Sequence, residues 1–315
     1  MTDLSTRISL MTRRWKALPG NVRGSIWLMG ASLLFAIMAA GVKFVGQRIP
    51  VLEILFFRQL FVIMILTPKI ASNFPGIFIT PRWRMHLARV CCSFVAMSTG
   101  FTAIVHMQLA EATAISFSRG FFTTILAVLV LHEIVGPRRW GATAVGFIGV
   151  LIIVRPSPEN LNEYAWLGLI SAVFVAVIMV LTRILSQKDP PTTIMAYQSL
   201  LLTGVLAPPA YYYWILPTFE ELALMAGIGG VMAVAQYANI KAYQNGETTA
   251  IQPMEYGRLL FAGFLGYVLF QEIPSAWAAA GSVVIIAAGV YTMHRNRIRQ
   301  SEPAHPRAPV PPPDA

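Results

Sequence analysis

The chain repeats itself. Glu111-Ala-Thr-Ala-Ile115 returns as Glu247-Thr-Thr-Ala-Ile251. Arg119, Phe122, Leu126 and Glu133 are answered 139 positions later (258−119, 272−133) by Arg258, Phe261, Leu265 and Glu272. The opening glutamates are 136 apart (247−111), so the second copy carries three extra residues, around Gln252-Pro253-Met254. Pro50, Phe57, Arg58 and Pro68 correspond to Pro190, Tyr197, Gln198 and Pro208, and Gly141 and Gly149 to Gly281 and Gly289, all at a distance of 140. A steady register over separate segments means two homologous halves. The unit is far longer than a solenoid repeat, so it is a duplicated half-protein.

The halves are too apolar for a water-soluble core. Of 315 residues, 56% are hydrophobic and 12% charged, against about 25% charged in soluble domains. The net charge of +10 does not point to nucleic acid, because the cations sit in short loops between apolar runs, as membrane topology requires. Cys91 and Cys92 are adjacent in an apolar run and have no metal-ligand spacing. No metal or cofactor is expected.

A bilayer-spanning helix needs about 20 apolar residues. Ten runs meet that pattern: 25–46, 51–68, 83–106, 112–132, 140–155, 164–186, 192–215, 221–243, 248–270 and 276–294. The fold expected is an all-α membrane protein, ten transmembrane helices as two inverted five-helix repeats. The repeats are placed at 24–155 and 164–294, with a basic arm at 1–23 and a disordered proline-rich tail at 295–315. Basic residues precede the odd-numbered spans (Lys69, Arg82, Arg84, Arg138, Arg139, Lys188, Lys241) and acids collect on the other side (Glu159, Glu163, Glu220, Glu221, Glu272), which puts both termini in the cytoplasm. Five spans per half is an odd number, so the second half enters from the opposite side. Secondary transporters use this arrangement, with the substrate between the repeats near the midplane.

With the ten spans, the duplicated unit, Phe57-Arg58-Gln59, the glutamates ending the fourth and ninth spans, and Gly-x7-Gly in the fifth and tenth, the chain resembles the drug/metabolite transporter superfamily, and its EamA-type exporters above all. The resemblance covers 24–294. It implies export of small metabolites, amino acids among them, across an inner membrane by alternating access. Other solute classes (a nucleoside, a vitamin or a drug-like compound) fit the same fold.

Charged residues inside spans are costly and usually functional or paired. Arg58, Arg119 and Arg258 are the cationic candidates for the substrate cavity. Arg58 is about seven residues into its span, roughly 10 Å deep at about 1.5 Å per residue. Glu255 stands three residues before Arg258; the spacing allows an ion pair on one helix face, or a proton carrier. Gln236, Tyr237, Asn239 and Tyr256 supply aimed polar groups, and Pro253 a kink with a freed carbonyl. Lys43 and Arg183, near span ends, read as snorkelling anchors. Glu133 and Glu272 read as structural, accepting hydrogen bonds from the next connection. Gly141, Gly149, Gly281 and Gly289 read as close helix packing; the same faces or a neighbouring pair are candidates for a homodimer contact. The partners expected are a small-molecule substrate and the lipid bilayer.

An enzyme and a scaffold are the competing classes. The chain has no His-Glu-x-x-His, Gly-x-Ser-x-Gly, paired aspartates or phosphate-cradling loop, and its loops are too short for a soluble domain. The surplus of deep arginines over Glu255 favours a solute with an anionic group, since a guanidinium fork matches a carboxylate.

Overall fold

The structure is a computed structural model. It describes residues 18–72, 74–131, 137–154, 163–185, 187–245 and 251–301. The described residues form helices and loops, without a strand: α1 Gly20–Val45, α2 Val51–Ser72, α3 Trp83–His106, α4 Leu109–Ser116, α5 Arg119–Leu131, α6 Pro137–Val154, α7 Glu163–Leu185, α8 Pro191–Tyr212, α9 Phe219–Asn245, α10 Gly257–Phe270 and α11 Ala276–Ser301. Short 3-10 segments cover Gly76–Phe78 and Gln252–Tyr256. Residues 1–17 and 302–315, most of the expected arm and tail, lie outside the described residues, and α11 runs past the expected limit of 294 to Ser301.

Among the described residues six stretches are long and apolar enough to cross a membrane: 20–45, 51–68, 83–106, 109–130, 163–185 and 219–242. Helices α6, α8, α10 and α11 stand where the other four spans were expected and do not meet the same test of length and hydropathy. The bundle's outer surface is apolar, with Met64, Ile65, Leu129, Leu260, Phe264 and Val283 exposed. Large exposed apolar surfaces are rare on soluble monomers.

The repeat register reappears in the elements. Helices α2 and α8 start 140 apart (191−51) and end 140 apart (212−72), each with a proline inside, Pro68 and Pro208. Packing follows the same register. Helix α1 lies on α9 and α3 on α7; α1 meets α10 and α5 meets α7; α2 pairs with α8 and α6 with α11. Exchanging the two halves leaves this set of partners unchanged.

The α6–α11 pair explains two of the four glycines. A Cβ on Gly149 would lie 2.9 Å from the carbonyl oxygen of Gly281, and one on Gly281 would collide with Gly149 O and Ile153. The obstacle is backbone, which cannot rotate away. A Cβ on Gly141 meets nothing within 4 Å. Gly281→Val is therefore expected to cost about 1–3 kcal/mol or more by overpacking, read as a lower melting temperature in detergent. Gly141→Ala should leave melting unchanged, and equal melting of both variants would remove the pair from the packing argument.

Candidate functional site

The centre of the site lies where two helices are interrupted. The expected span 112–132 is broken: α4 stops at Ser116 and α5 starts at Arg119. Between them Phe117 N and Ser118 N bond back three residues, to Ala114 O (3.1 Å) and Ile115 O (2.9 Å), a tightened 3-10 turn. The second half does the same in the expected span 248–270. There the 3-10 segment Gln252–Tyr256 gives way to α10 at Gly257. Pro253 lies within that segment and has no N–H to sustain an α-helical ladder. Arg119 is the first residue of α5 and Arg258 the second of α10, so each half begins a half-helix with an arginine at the same repeat position. The 8 residues of α4 set the break about 12 Å from that helix's first residue at about 1.5 Å per residue.

The two breaks are joined. Arg119 Nη2 donates to Glu255 Oε1 at 2.6 Å, an ion pair between the halves. Glu255 thus serves Arg119, 136 residues away (255−119), rather than the neighbouring Arg258. The Arg119 guanidinium also lies 5.6 Å from the Phe117 ring, and Phe117 packs on Tyr256 at 5.0 Å. Helix α1 closes over the junction: Ser32 Oγ donates to Met254 O at 3.2 Å, and Met29 Sδ leaves no room for a Cβ at Gly257.

Arg258 and Arg58 lie against rings rather than in an ion pair among the described residues. The Arg258 guanidinium lies 5.3 Å from the Phe35 ring of α1, that of Arg58 5.2 Å from the Phe101 ring of α3. Arg58 also points Nη2 at Met97 Sδ, 3.6 Å away. Both Nε atoms are buried without an acceptor. Among the described residues no carboxylate pairs with either arginine. Phe35 and Phe101 pack against one buried cluster that includes Met38, Val42 and Ile54, so the two cations border the same apolar patch. Glu53, a candidate to offset one of them, is fully buried and accepts from Ile215 N at 3.1 Å instead.

The remaining candidates are spread out. Tyr237 is exposed, edge-on to Trp27 at 6.2 Å with Lys241 Nζ 5.7 Å from its ring. Gln236 is exposed and Asn239 half-buried. Glu133 lies outside the described residues, and Gly289 stands in α11. Glu272 accepts from Leu109 N at 2.8 Å and from Lys43 Nζ. Lys43 is buried and also donates to Met107 O. It is not a snorkelling anchor, because its ammonium has an acid and a carbonyl within the bundle. Lys43, Gln47, Arg48, Val105, Glu221 and Phe270 border a cavity of about 650 Å³ at that end. Arg48 holds Glu221 through two nitrogens, with Nε–Oε1 at 2.6 Å; that bond keeps the Arg48 guanidinium above its ordinary pKa.

Arg89 and His86 were not among the residues singled out from the sequence. Arg89 donates to Gln198 Oε1 at 2.7 Å and to Thr182 Oγ1 at 2.8 Å. Gln198 is the repeat counterpart of Arg58, so a cation stands near this position in both halves, supplied in the second by α3. His86 Nε2 lies 3.0 Å from Asp189 Oδ2 and its ring stacks on Tyr197 at 4.4 Å. The offset of 140 marked Tyr197 and Gln198, and their partners were the signal left unused.

The profile of the EamA-like transporter family matches residues 22–155 and again 163–293. The S-adenosylmethionine uptake transporter of Rickettsia bellii is 28% identical over 82% of this chain and 89% of its own length. The riboflavin transporter of Brucella anthropi is 27% identical over 85% and 98%, and the pseudopaline exporter of Pseudomonas aeruginosa 29% over 82% and 91%. A crystal structure superposes with a TM-score of 0.62 over 87% of this chain and 98% of the other, at 15% identity, which bears on the fold alone. Two matches in tandem, each covering one half of the duplication, make this chain a membrane transporter of the EamA-like family, within the drug/metabolite transporter superfamily.

Proposed function

We propose that the chain is a ten-span secondary transporter of two inverted repeats in a cell's inner membrane, with cytoplasmic termini, that moves an amino-acid-like metabolite bearing a carboxylate. The symmetric packing partners and the loop charges support the topology. The observation that carries the substrate class is the pair of acid-free guanidiniums, Arg58 and Arg258, each over a phenylalanine ring. Each offers a fork to a carboxylate, and Phe35, Phe101, Phe117 and Tyr256 offer faces to a flat or apolar remainder. Glu255, paired with Arg119 at 2.6 Å, would have to share its carboxylate for a substrate ammonium to bind at the junction. S-adenosylmethionine, the solute named for the rickettsial relatives, has an α-amino carboxylate and a flat base. Relatives named for uptake and for export both occur, so the fold does not dictate direction.

The test is counterflow. Liposomes holding the purified chain and unlabelled S-adenosylmethionine should accumulate the labelled solute. S-adenosylhomocysteine, which lacks the sulfonium charge, should compete more strongly, because the four central charges (Arg58, Arg119, Arg258 and Glu255) sum to +2. Counterflow of riboflavin without either adenosyl solute would replace this reading by one of a neutral flat-ring carrier. No counterflow of any of the three would sink both.

A further inference from the structure

We propose that two loops, one from each half, are the gates of the carrier, and that the outer one lets go first, so the empty carrier rests open to the outside. Which side is outer rests on the topology proposed above; the gates themselves do not. The loop 74–82 lies between α2 and α3, and the loop 213–218 between α8 and α9. Each crosses to the other half. Ile215 N donates to Glu53 Oε2 at 3.1 Å, Arg48 Nη2 donates to Leu216 O at 3.1 Å, and Trp214 packs on Phe57 at 5.5 Å. The second loop has the matching seat. Tyr197 Oη donates to Phe78 O at 2.6 Å, Thr80 Oγ1 to Asp189 Oδ1 at 3.0 Å and Arg82 Nη1 to Ile184 O at 2.9 Å, while Phe78 packs on Tyr197 at 5.4 Å. Phe57 and Tyr197 are repeat counterparts, so one device is used twice. The loop past the end of α8 meets the start of α2, and the loop past the end of α2 meets α8 near its start. The two helices therefore run antiparallel, and the two seats are at opposite ends of the pair.

An end opens when the halves part there. All of these contacts bridge the halves, so each loop must leave its seat before its end opens. The seats are unequal. The inner one is dry: His86 is 1% and Asp189 8% exposed, and with Nε2 3.0 Å from Oδ2 the one carboxylate holds both the loop, through Thr80, and α3, through His86. Hydrogen bonds to a carboxylate are strong in such a place. The outer seat meets water. The Arg48 side chain is 49% exposed in its pair with Glu221, and exposed pairs contribute little. Glu53 is fully buried with Oε1 unpartnered, so lifting the loop gives that carboxylate water and recovers desolvation cost. His86 Nδ1 is unpartnered too, a smaller cost for a ring nitrogen than for a carboxylate oxygen. Trp214 lies on the residue beside Arg58, so the outer loop uncovers the approach to that arginine.

The test needs no substrate. Cys91 and Cys92 are replaced, and Ser116, half-buried at the break, is changed to cysteine in the full chain in sealed vesicles. An impermeant thiol reagent should label it faster from outside than from inside, on the order of tenfold. Tyr197→Phe removes only the hydroxyl that bonds Phe78 O, and should lower the outside-to-inside ratio about fivefold, the loss of one hydrogen bond. Arg48→Gln weakens the other seat and should raise the ratio. A parent labelled faster from inside would overturn the order of the gates. A ratio unchanged in both variants, each melting like the parent, would overturn the gates themselves. A separate Leu216→Cys, on a residue 80% exposed on the outer loop, should be labelled from outside. Labelling of it from inside alone would overturn the topology and leave the gates to be judged by the opposite shifts of the two variants.

Discussion

Arg258→Gln abolishes carboxylate transport while the purified protein stays monodisperse and its melting changes little; that is the expected result. The residue is the second of α10, and its guanidinium touches an aromatic face and no acid. Removing it breaks no ion pair, so the fold loses little. Gln is smaller but neutral, and a buried amide costs less than a bare buried cation. The substrate loses a charge-assisted fork, which is about twice as strong as a neutral hydrogen bond. Arg258→Lys should recover only a small part of the rate, because an ammonium keeps the charge and loses the two-point geometry. Arg119→Gln separates the roles. It leaves Glu255 without its partner, so it should lower melting as well as transport. Normal counterflow by Arg258→Gln, or equal melting losses in both variants, would make the two arginines structural equivalents.

The difference between Arg119 and Arg258 shows how far the sequence could be read. The repeat register found both arginines and set them in corresponding places. It could not show that α4 and α5 part at Phe117-Ser118, because 112–132 contains no proline to mark the place. The second break had a visible cause in Pro253 and the three inserted residues; the first inherits its position from the register alone. The pairing of Glu255 was misjudged for a related reason. Spacing of three allows a contact along one helix, and nothing in the sequence shows that the fold brings Arg119 of the other half within 2.6 Å of the same carboxylate. Lys43 was read from its place near a span end, where snorkelling is common, and only the fold reveals Glu272 arriving from the other half, 229 residues away (272−43). Among the glycines, Gly149 and Gly281 meet across the halves and Gly141 faces open space. The sequence treats them alike, because a small residue looks the same whether or not a neighbour needs the room.

The Lys43–Glu272 tie carries the second large effect, on stability. Glu272 lies just past the C-terminus of α10, where Gln271 takes a left-handed conformation (φ 56°) and Glu272 N bonds back to Gly266 O at 3.0 Å. A carboxylate there is opposed by the negative end of the helix dipole. Two cross-bundle contacts offset this: the Leu109 N–H at the start of α4 and the buried Lys43 ammonium. One side chain thereby fastens α10 to α1 and to α4. The Lys43 and Glu272 side chains are 7% and 16% exposed, so water screens little of the attraction. Lys43→Met leaves a carboxylate with one N–H for company, and breaking a buried pair in this way costs about 3–5 kcal/mol. Adding Glu272→Gln to Lys43→Met should restore most of the loss, since the neutral amide still accepts from Leu109 N–H and no longer needs a cation. Melting of the four proteins in one detergent forms the double-mutant cycle. A coupling near zero would show that each group is solvated separately and that the tie holds nothing together. A large coupling with unchanged counterflow in the double variant would assign the pair to stability and leave transport to the arginines at the breaks.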